Sequence, residues 1–422
     1  MNNDNTVTGR FKASGIYEVN VRQYTAEGTF AAFAKHLPRL KDMGVDILWF
    51  MPVTPLGKQK RLGGLGSYYA CSNYIAINPE FGTMQDFKAL VAAIHNMGMK
   101  VIIDWVANHT ARDHDWVARH KDWYVHDSDG NFSERYGWAD VIHLDYTKAD
   151  MQDEMIKCMR FWIEECNIDG FRCDMAHLVP LEFWLEAKEQ CDELKPLFWL
   201  AECDHIEYHA VFDVTYAWEW MHVSEKVAKG QASIAQMKDV LYKYAQYPKG
   251  ARKLYFTSNH DENSWNGTEY EKYLGAAKAF AVFTLTWPGM PLIYSGQELP
   301  NVKRLKFFEK DFIDWKPTLV LHNFYKNMLA LRTTHTCLQG DVQPYILETG
   351  HDDKIFGYLL QDENSKVLVL LNFSQVDKLK LIIKHTQLQG NYTNVSSGLS
   401  YTLTGTENFE MQAWEFMVYA SA

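Results

Sequence analysis

Four acidic residues stand at or just past the end of short apolar runs: Asp104 in VIIDWVANH, Asp174 in DGFRCD, Glu202 in PLFWLAE and Asp261 in LYFTSNHDE. Two or three carboxylates without a metal cluster suit glycoside hydrolysis, where one attacks or assists and another protonates the leaving oxygen. Arg172 and Asp174 lie two residues apart, so on a strand they face one way while Phe171 and Cys173 face the other. An arginine beside an aspartate favours the charged carboxylate and lowers its pKa. That leaves two readings of the pair: a salt bridge holding the fold, or a nucleophile kept ionised. Glu202 follows the apolar PLFWLA and would share its pocket with other anions, and both effects raise a carboxyl pKa as a general acid requires. Asp261 would then stabilise an oxocarbenium-like transition state, with His109 and His260 donating to sugar hydroxyls. Taken singly, each acid reads as a solvated loop residue or a helix N-cap. Four at one rim, with Arg172 among them, read as a site.

Such convergence needs a scaffold that brings several strand ends together. From about residue 15 to 335, short apolar runs alternate with stretches of helical periodicity. GIYEVNV reads as a strand; in TFAAFAKHLPRLKDMG, Phe30, Phe33, Leu37 and Leu40 recur at helical spacing and Gly44 is the stop. DILWFMP, VIIDWV, DGFRCD, PLFWLAE, VFDVTYAW, KLYFTSN and MPLIYSG are the further strands, with helices expected from MQDFKALVAAIHNMGMK to TLVLHNFYKNMLALRTTH. Strands separated by such helices imply a parallel sheet. Eight units point to an α/β fold of the TIM (β/α)8 barrel type, whose catalytic residues sit at the C-terminal strand ends. No GxGxxG follows the first strand, which disfavours a dinucleotide fold. After the third strand the connection runs roughly forty residues, far beyond the usual length of about 2–6. Past residue 340, KIFGYLL, KVLVLLNFS, KLKLII and FEMQAWEFMVY read as strands of an antiparallel β domain. The expected division is a barrel over 1–335, with 109–145 inserted, and a C-terminal β-sandwich domain over 340–422.

Composition narrows the function. The 422 residues carry a net charge of −11, with 47% hydrophobic and 23% charged residues. That balance argues against nucleic acid or an anionic membrane surface as partner, and no apolar run is long enough to span a bilayer. Seven scattered cysteines without CxxC pairs suggest neither a zinc site nor a disulfide framework. Free buried thiols and the polar opening MNNDNTVTGRFKASG favour a cytoplasmic location. Aromatic content of 14% is high, and a sugar-binding cleft is one reason for a surplus.

The set DWVANH, GFRCD, AE and SNHD, in that order on successive strands, resembles the α-amylase family, glycoside hydrolase family thirteen. MGVDILWFMPVTP, GSYYACSNYIAINPEFGT and GMPLIYSGQE resemble further motifs of that family, so the likeness covers nearly the whole chain. The resemblance implies Asp174 as nucleophile, Glu202 as general acid/base and Asp261 as transition-state stabiliser. It further implies that Arg172 orients Asp174, that Asp104 supports Arg172, that His109 and His260 bind hydroxyls, and that Tyr69 stacks beneath the sugar. The insertion corresponds to a short domain B and the β domain to domain C. The implied activity is retaining hydrolysis of α-1,4 links in starch-like glucans or maltooligosaccharides. Its alternatives are an exo-acting α-glucosidase or maltogenic enzyme, a glucanotransferase, and a non-catalytic carbohydrate-binding member.

Two departures from the family pattern stand out. Family members often carry Lys-His three and four residues after the nucleophile, where this chain has His177 and Leu178. The resemblance implies a calcium site at Asn108 with a domain B carboxylate such as Asp127, Asp129 or Asp140. The changed partner position weighs against it, so the expectation is that no cofactor and no metal is required. Trp105, Trp138 and Trp265 are candidate cleft aromatics.

Overall fold

The computed structural model describes residues 15–134, 136–339 and 341–421. The opening read for a leader and the first fourteen residues of the expected barrel lie outside these. Eight parallel strands close into a barrel, each paired with its sequence neighbours and the eighth with the first. They are Ile16–Val19, Ile47–Phe50, Lys100–Trp105, Gly170–Cys173, Phe198–Ala201, Val214–Tyr216, Arg252–Tyr255 and Met290–Tyr294. Nearly all their residues are buried, as expected of a parallel sheet covered by side chains inside and helices outside.

Alternation along the strands decides what faces the barrel axis. Asp104 registers with Arg172, and Trp105 with Cys173, between the third and fourth strands. Arg172 turns inward while Phe171 packs outward, its ring 5.6 Å from Trp105 and 5.4 Å from Trp199. Gly170 opens the fourth strand at φ 158°, and a Cβ there would run into the Phe198 carbonyl of the fifth strand. A side chain at that position would push those two strands apart, so the glycine sets how closely Arg172 and Glu202 can approach.

Several helices differ from expectation. The first expected helix is two, Phe30–Ala34 and Leu37–Met43, the second with a proline in its first turn and ending on Gly44 at φ 95°. The helix expected before the eighth strand is also split, into Glu269–Tyr273 and Ala277–Thr286, at Leu274 with φ 53°. Between the fifth and sixth strands there is only a 3-10 turn, Ile206–Ala210. After the sixth strand an unexpected helix, Trp218–Ala228, precedes Ile234–Tyr244. It escapes a sequence reading because its start, Ala217, supplies no side-chain cap and abuts a strand directly.

The insertion is a small antiparallel pair, His109–Ala111 with Val141–His143, closed over short helical turns. The C-terminal region carries a six-stranded antiparallel sheet and a separate pair, Leu379–Lys384 with Thr406–Met411. FEMQAWEFMVY, expected as one strand, is two strands in different sheets, broken at Trp414 with φ 60°. Leu359, Leu368 and Leu370 of the large sheet pack with Leu381, Ile383 and Met411 of the pair, which makes the sandwich. Its opposite face joins the barrel: Phe373 stacks on Phe280 at 4.0 Å. Burial on both faces explains the unbroken apolar run KVLVLLN.

Candidate active site

One guanidinium organises the barrel mouth. Arg172, fully buried, donates from Nη1 to Asp104 Oδ1 at 3.0 Å and to Asp174 Oδ1 at 2.9 Å. Its Nη2 lies 2.9 Å from Glu202 Oε2, an ion pair out of line for a hydrogen bond. Nε donates to the Tyr216 hydroxyl at 3.3 Å, and the group sits 5.0 Å from the centre of the Trp49 ring. Asp174 and Glu202 each follow their strand by one residue, which carries them past the barrel wall onto its rim. Met175 takes left-handed backbone, φ 41° and ψ 45°, and points its amide at Glu202 Oε2 over 2.9 Å. Left-handed backbone is unusual outside glycine and asparagine, and strain of this kind gathers at functional sites.

A second network joins the opposite strands. The Tyr69 hydroxyl lies 2.7 Å from His260 Nε2 and donates to Asp104 Oδ2 at 3.2 Å. Asp104 Oδ2 also accepts from Trp49 Nε1 at 3.2 Å. His260 Nδ1 meets Glu18 Oε1 at 2.5 Å, and its Nε2 stands 3.3 Å from Asp261 Oδ2. Glu18 sits in the middle of the first strand and is fully buried.

The charges do not balance, and burial decides where protons stay. Burial pushes Glu202 up to about 7, against the pull of Arg172 and with the help of Asp174 and Asp261. Burial also raises Asp174 to about 6, because Arg172 is outweighed by the lost solvation and by Asp104 and Asp261. The neighbouring arginine alone would have lowered it, as the sequence suggested. That guanidinium is shared with Asp104, itself raised to about 6 by burial despite Arg172 and His260. Asp261 goes the other way: burial acts upward, but His260 holds it below the usual carboxylate range. Burial alone would discharge His260, yet Asp261 and Glu18 raise it well above an ordinary histidine and keep it cationic. Burial lowers His109 to about 3, aided by His143, so it is neutral.

Around these groups lies a cleft cavity of about 180 Å³, lined by Tyr69, Trp138, Asp140, Asp174, Glu202 and Asp261, with His109 in the wall. A family model for the alpha-amylase catalytic domain matches residues 2–318. The chain belongs to the alpha-amylase family. It is 28% identical to an alpha-amylase of Haloarcula japonica over 85% of this chain and 55% of that protein's length, so it spans about half of that relative. The crystal structure of a noncanonic maltogenic alpha-amylase from Thermotoga neapolitana superposes with a TM-score of 0.89 at 27% identity, covering 97% of this chain and 99% of that one. An alpha-amylase from Lactobacillus plantarum gives 0.87 at 28% identity, over 99% of this chain and 100% of that chain.

With the family established, each expected site residue can be located. Asp104, Arg172, Asp174, Glu202, His260, Asp261 and Tyr69 form one connected cluster, and His109 faces it from the insertion. Tyr69 is stacked on His260 with ring centres 5.6 Å apart. Trp138 lines the cleft and Trp265 is exposed beside Phe307 and Phe308. Trp105 does not reach the cleft: alternation turns it outward, where it is 1% exposed and packs on Tyr74. His177 stacks on His205 at 5.2 Å, at the start of the connection after the fourth strand. Glu18, Trp49 and Tyr216 escaped the sequence reading. Glu18 had a signal, a charged residue inside the apolar run IYEV, where a buried strand carries charge only with a partner.

Asn108, which the resemblance offers to a calcium ion, turns its amide nitrogen to His109 Nδ1 at 3.0 Å and His143 Nδ1 at 3.2 Å. Asp140 turns into the cleft, and Asp127 accepts from the amides of Asp129 and Asn131 in its own turn. Among the described residues no three His, Cys, Asp or Glu side chains gather for a metal. No described helix is long and apolar enough to cross a membrane.

Proposed function

We propose that this enzyme hydrolyses α-1,4-glucosidic bonds of starch-like glucans or maltooligosaccharides with retention of anomeric configuration. One observation carries the reading: a single guanidinium holds Asp174 and Glu202 on its two terminal nitrogens, the first by a hydrogen bond of 2.9 Å and the second by an ion pair of 2.9 Å. Between about pH 6 and 7 Asp174 is an ionised nucleophile and Glu202 still carries a proton. Holding both on one group suits the short separation, about 5–5.5 Å, that retaining enzymes use.

Asp174 attacks the anomeric carbon from one face as Glu202 gives its proton to the leaving oxygen. The product of that step is a glycosyl ester of Asp174. Glu202, now a carboxylate, takes a proton from water, whose oxygen displaces Asp174. Two inversions restore the original configuration. Asp261, held ionised by His260, faces the sugar ring as positive charge develops. His109, neutral, and His260 are placed to bind hydroxyls, and Tyr69 offers its ring beneath the sugar. No cofactor enters the scheme.

Proton NMR of the first products from maltotetraose tests this: the α-anomer is expected before mutarotation, and the β-anomer would overturn retention. The maltogenic name of the Thermotoga relative supports a second reading, in which short products come from one chain end. Early mixed oligosaccharides from amylose favour internal cleavage; maltose or glucose alone from the start favours the second. Seven free, buried cysteines support a reducing compartment such as the cytoplasm.

A further inference from the structure

A cavity of about 400 Å³, larger than the catalytic one, opens on the opposite face of the barrel. Its walls are the loops that lead into the seventh and eighth strands, with the last barrel helix and the segment that follows it. Two arginines line it. Arg332 is 4% exposed and donates from Nη1 to the Leu285 carbonyl at 3.0 Å and from Nη2 to the Gly289 carbonyl at 2.7 Å. Its Nε has no hydrogen-bond partner among the described residues. Arg252, half-buried, donates to the Gln339 carbonyl at 3.4 Å and interacts at longer range with the Asp213 carboxylate.

Neither arginine pairs with a carboxylate within 4.0 Å among the described residues. Buried cations normally have such a partner, and Lys253 in the same wall has one in Asp204. Lys249 adds a further cation, and Asp341 is the one carboxylate among the described lining residues. Tyr244, Tyr247 and Trp287 supply aromatic surface. The volume falls within the range of small-molecule sites.

We propose that this cavity binds a small phosphate monoester with a sugar-sized body. Guanidinium groups present planar forks of N–H donors that match phosphate oxygens. Aromatic walls suit the apolar face of a sugar ring. A bound phosphate would supply the close anion that Arg332 lacks and that Arg252 has only at longer range, in Asp213. The site stands apart from the carboxylates and does not depend on which glucan the enzyme cleaves.

Isothermal titration calorimetry on the full chain tests it, with glucose 6-phosphate and inorganic phosphate as probes and glucose as the neutral control. The expected result is saturable one-to-one binding of glucose 6-phosphate, weakened by salt and not displaced by maltotriose. R252Q and K249Q should each bind it more weakly, R252Q by about tenfold or more, with amylolytic activity retained. Two variants are used so that a folding failure in one leaves the other decisive. Absence of saturable binding, equal binding of glucose, displacement by maltotriose, or unchanged affinity in folded R252Q would each overturn the proposal.

Discussion

Glu18 Oε1 and His260 Nδ1 stand 2.5 Å apart, joining the first barrel strand to the loop after the seventh. The contact closes the barrel mouth across its seam and fixes which way the imidazole faces. His260 then presents Nε2 towards Tyr69 and Asp261. A residue that does not line the cleft thereby sets the charge of His260, which the proposed mechanism places against the sugar.

Glu18→Gln should therefore lower kcat by about 10–100-fold, the loss expected when a charge-assisted hydrogen bond is removed. His260 would lose one of the two acids that keep it cationic. Steady-state kinetics with a pH series checks this. A positioning role predicts a kcat decrease with a profile shifted to lower pH, whereas a merely structural role lowers stability and leaves the profile in place.

The pH profile of kcat/KM should be a narrow bell. Activity falls below about 6 as Asp174 takes up a proton, and above about 7 as Glu202 loses its own. The two limbs belong to a coupled cluster rather than to isolated groups. Glu202→Gln should abolish the basic limb and cost several orders of magnitude in rate. A folded variant retaining most activity would remove Glu202 from its role.

The same substitution has a stability signature. In the fold Glu202 binds its proton more tightly than its ordinary value of 4.5, holding it up to about 7. Stability from this group is full below about pH 4.5 and is lost as pH rises through 7, since the carboxylate must then ionise while buried. Glutamine removes that loss. Glu202→Gln should be more stable than the parent at pH 8, by about 3 kcal/mol at most, and lose the advantage near pH 4. Thermal unfolding at both pH values reads it out.

Trp138 and Trp105 should separate binding from packing. Trp138→Ala is expected to raise KM for maltooligosaccharides with little change in Tm, because the ring lines the cleft and is only half-buried. Trp105→Phe should leave KM alone and lower stability by about 1–3 kcal/mol, through a void behind the third strand. Parallel kinetics and denaturant titrations on the two variants check the contrast.

Strand alternation and strand ends were legible in the sequence. They placed Arg172, Asp174, Glu202, Asp104 and Asp261 on one rim because a two-residue period and a parallel barrel leave little freedom. The same local rule, applied to Trp105, turns it away from the cleft. Helix breaks at Leu274 and the uncapped helix at Trp218 were not legible, since their local signals are weak and packing decides them. Nor was the sign of the Asp174 shift. Sequence sees one arginine two residues away; only the fold shows that its guanidinium is shared with Asp104 and Glu202 in a site stripped of water. Glu18 and His260 are 242 positions apart, and Arg252 and Arg332 meet around one cavity on the far face. The sequence determined which residue types reach the rim. Tertiary structure decided their proton affinities, because those depend on desolvation and on partners that closure of the barrel alone brings together.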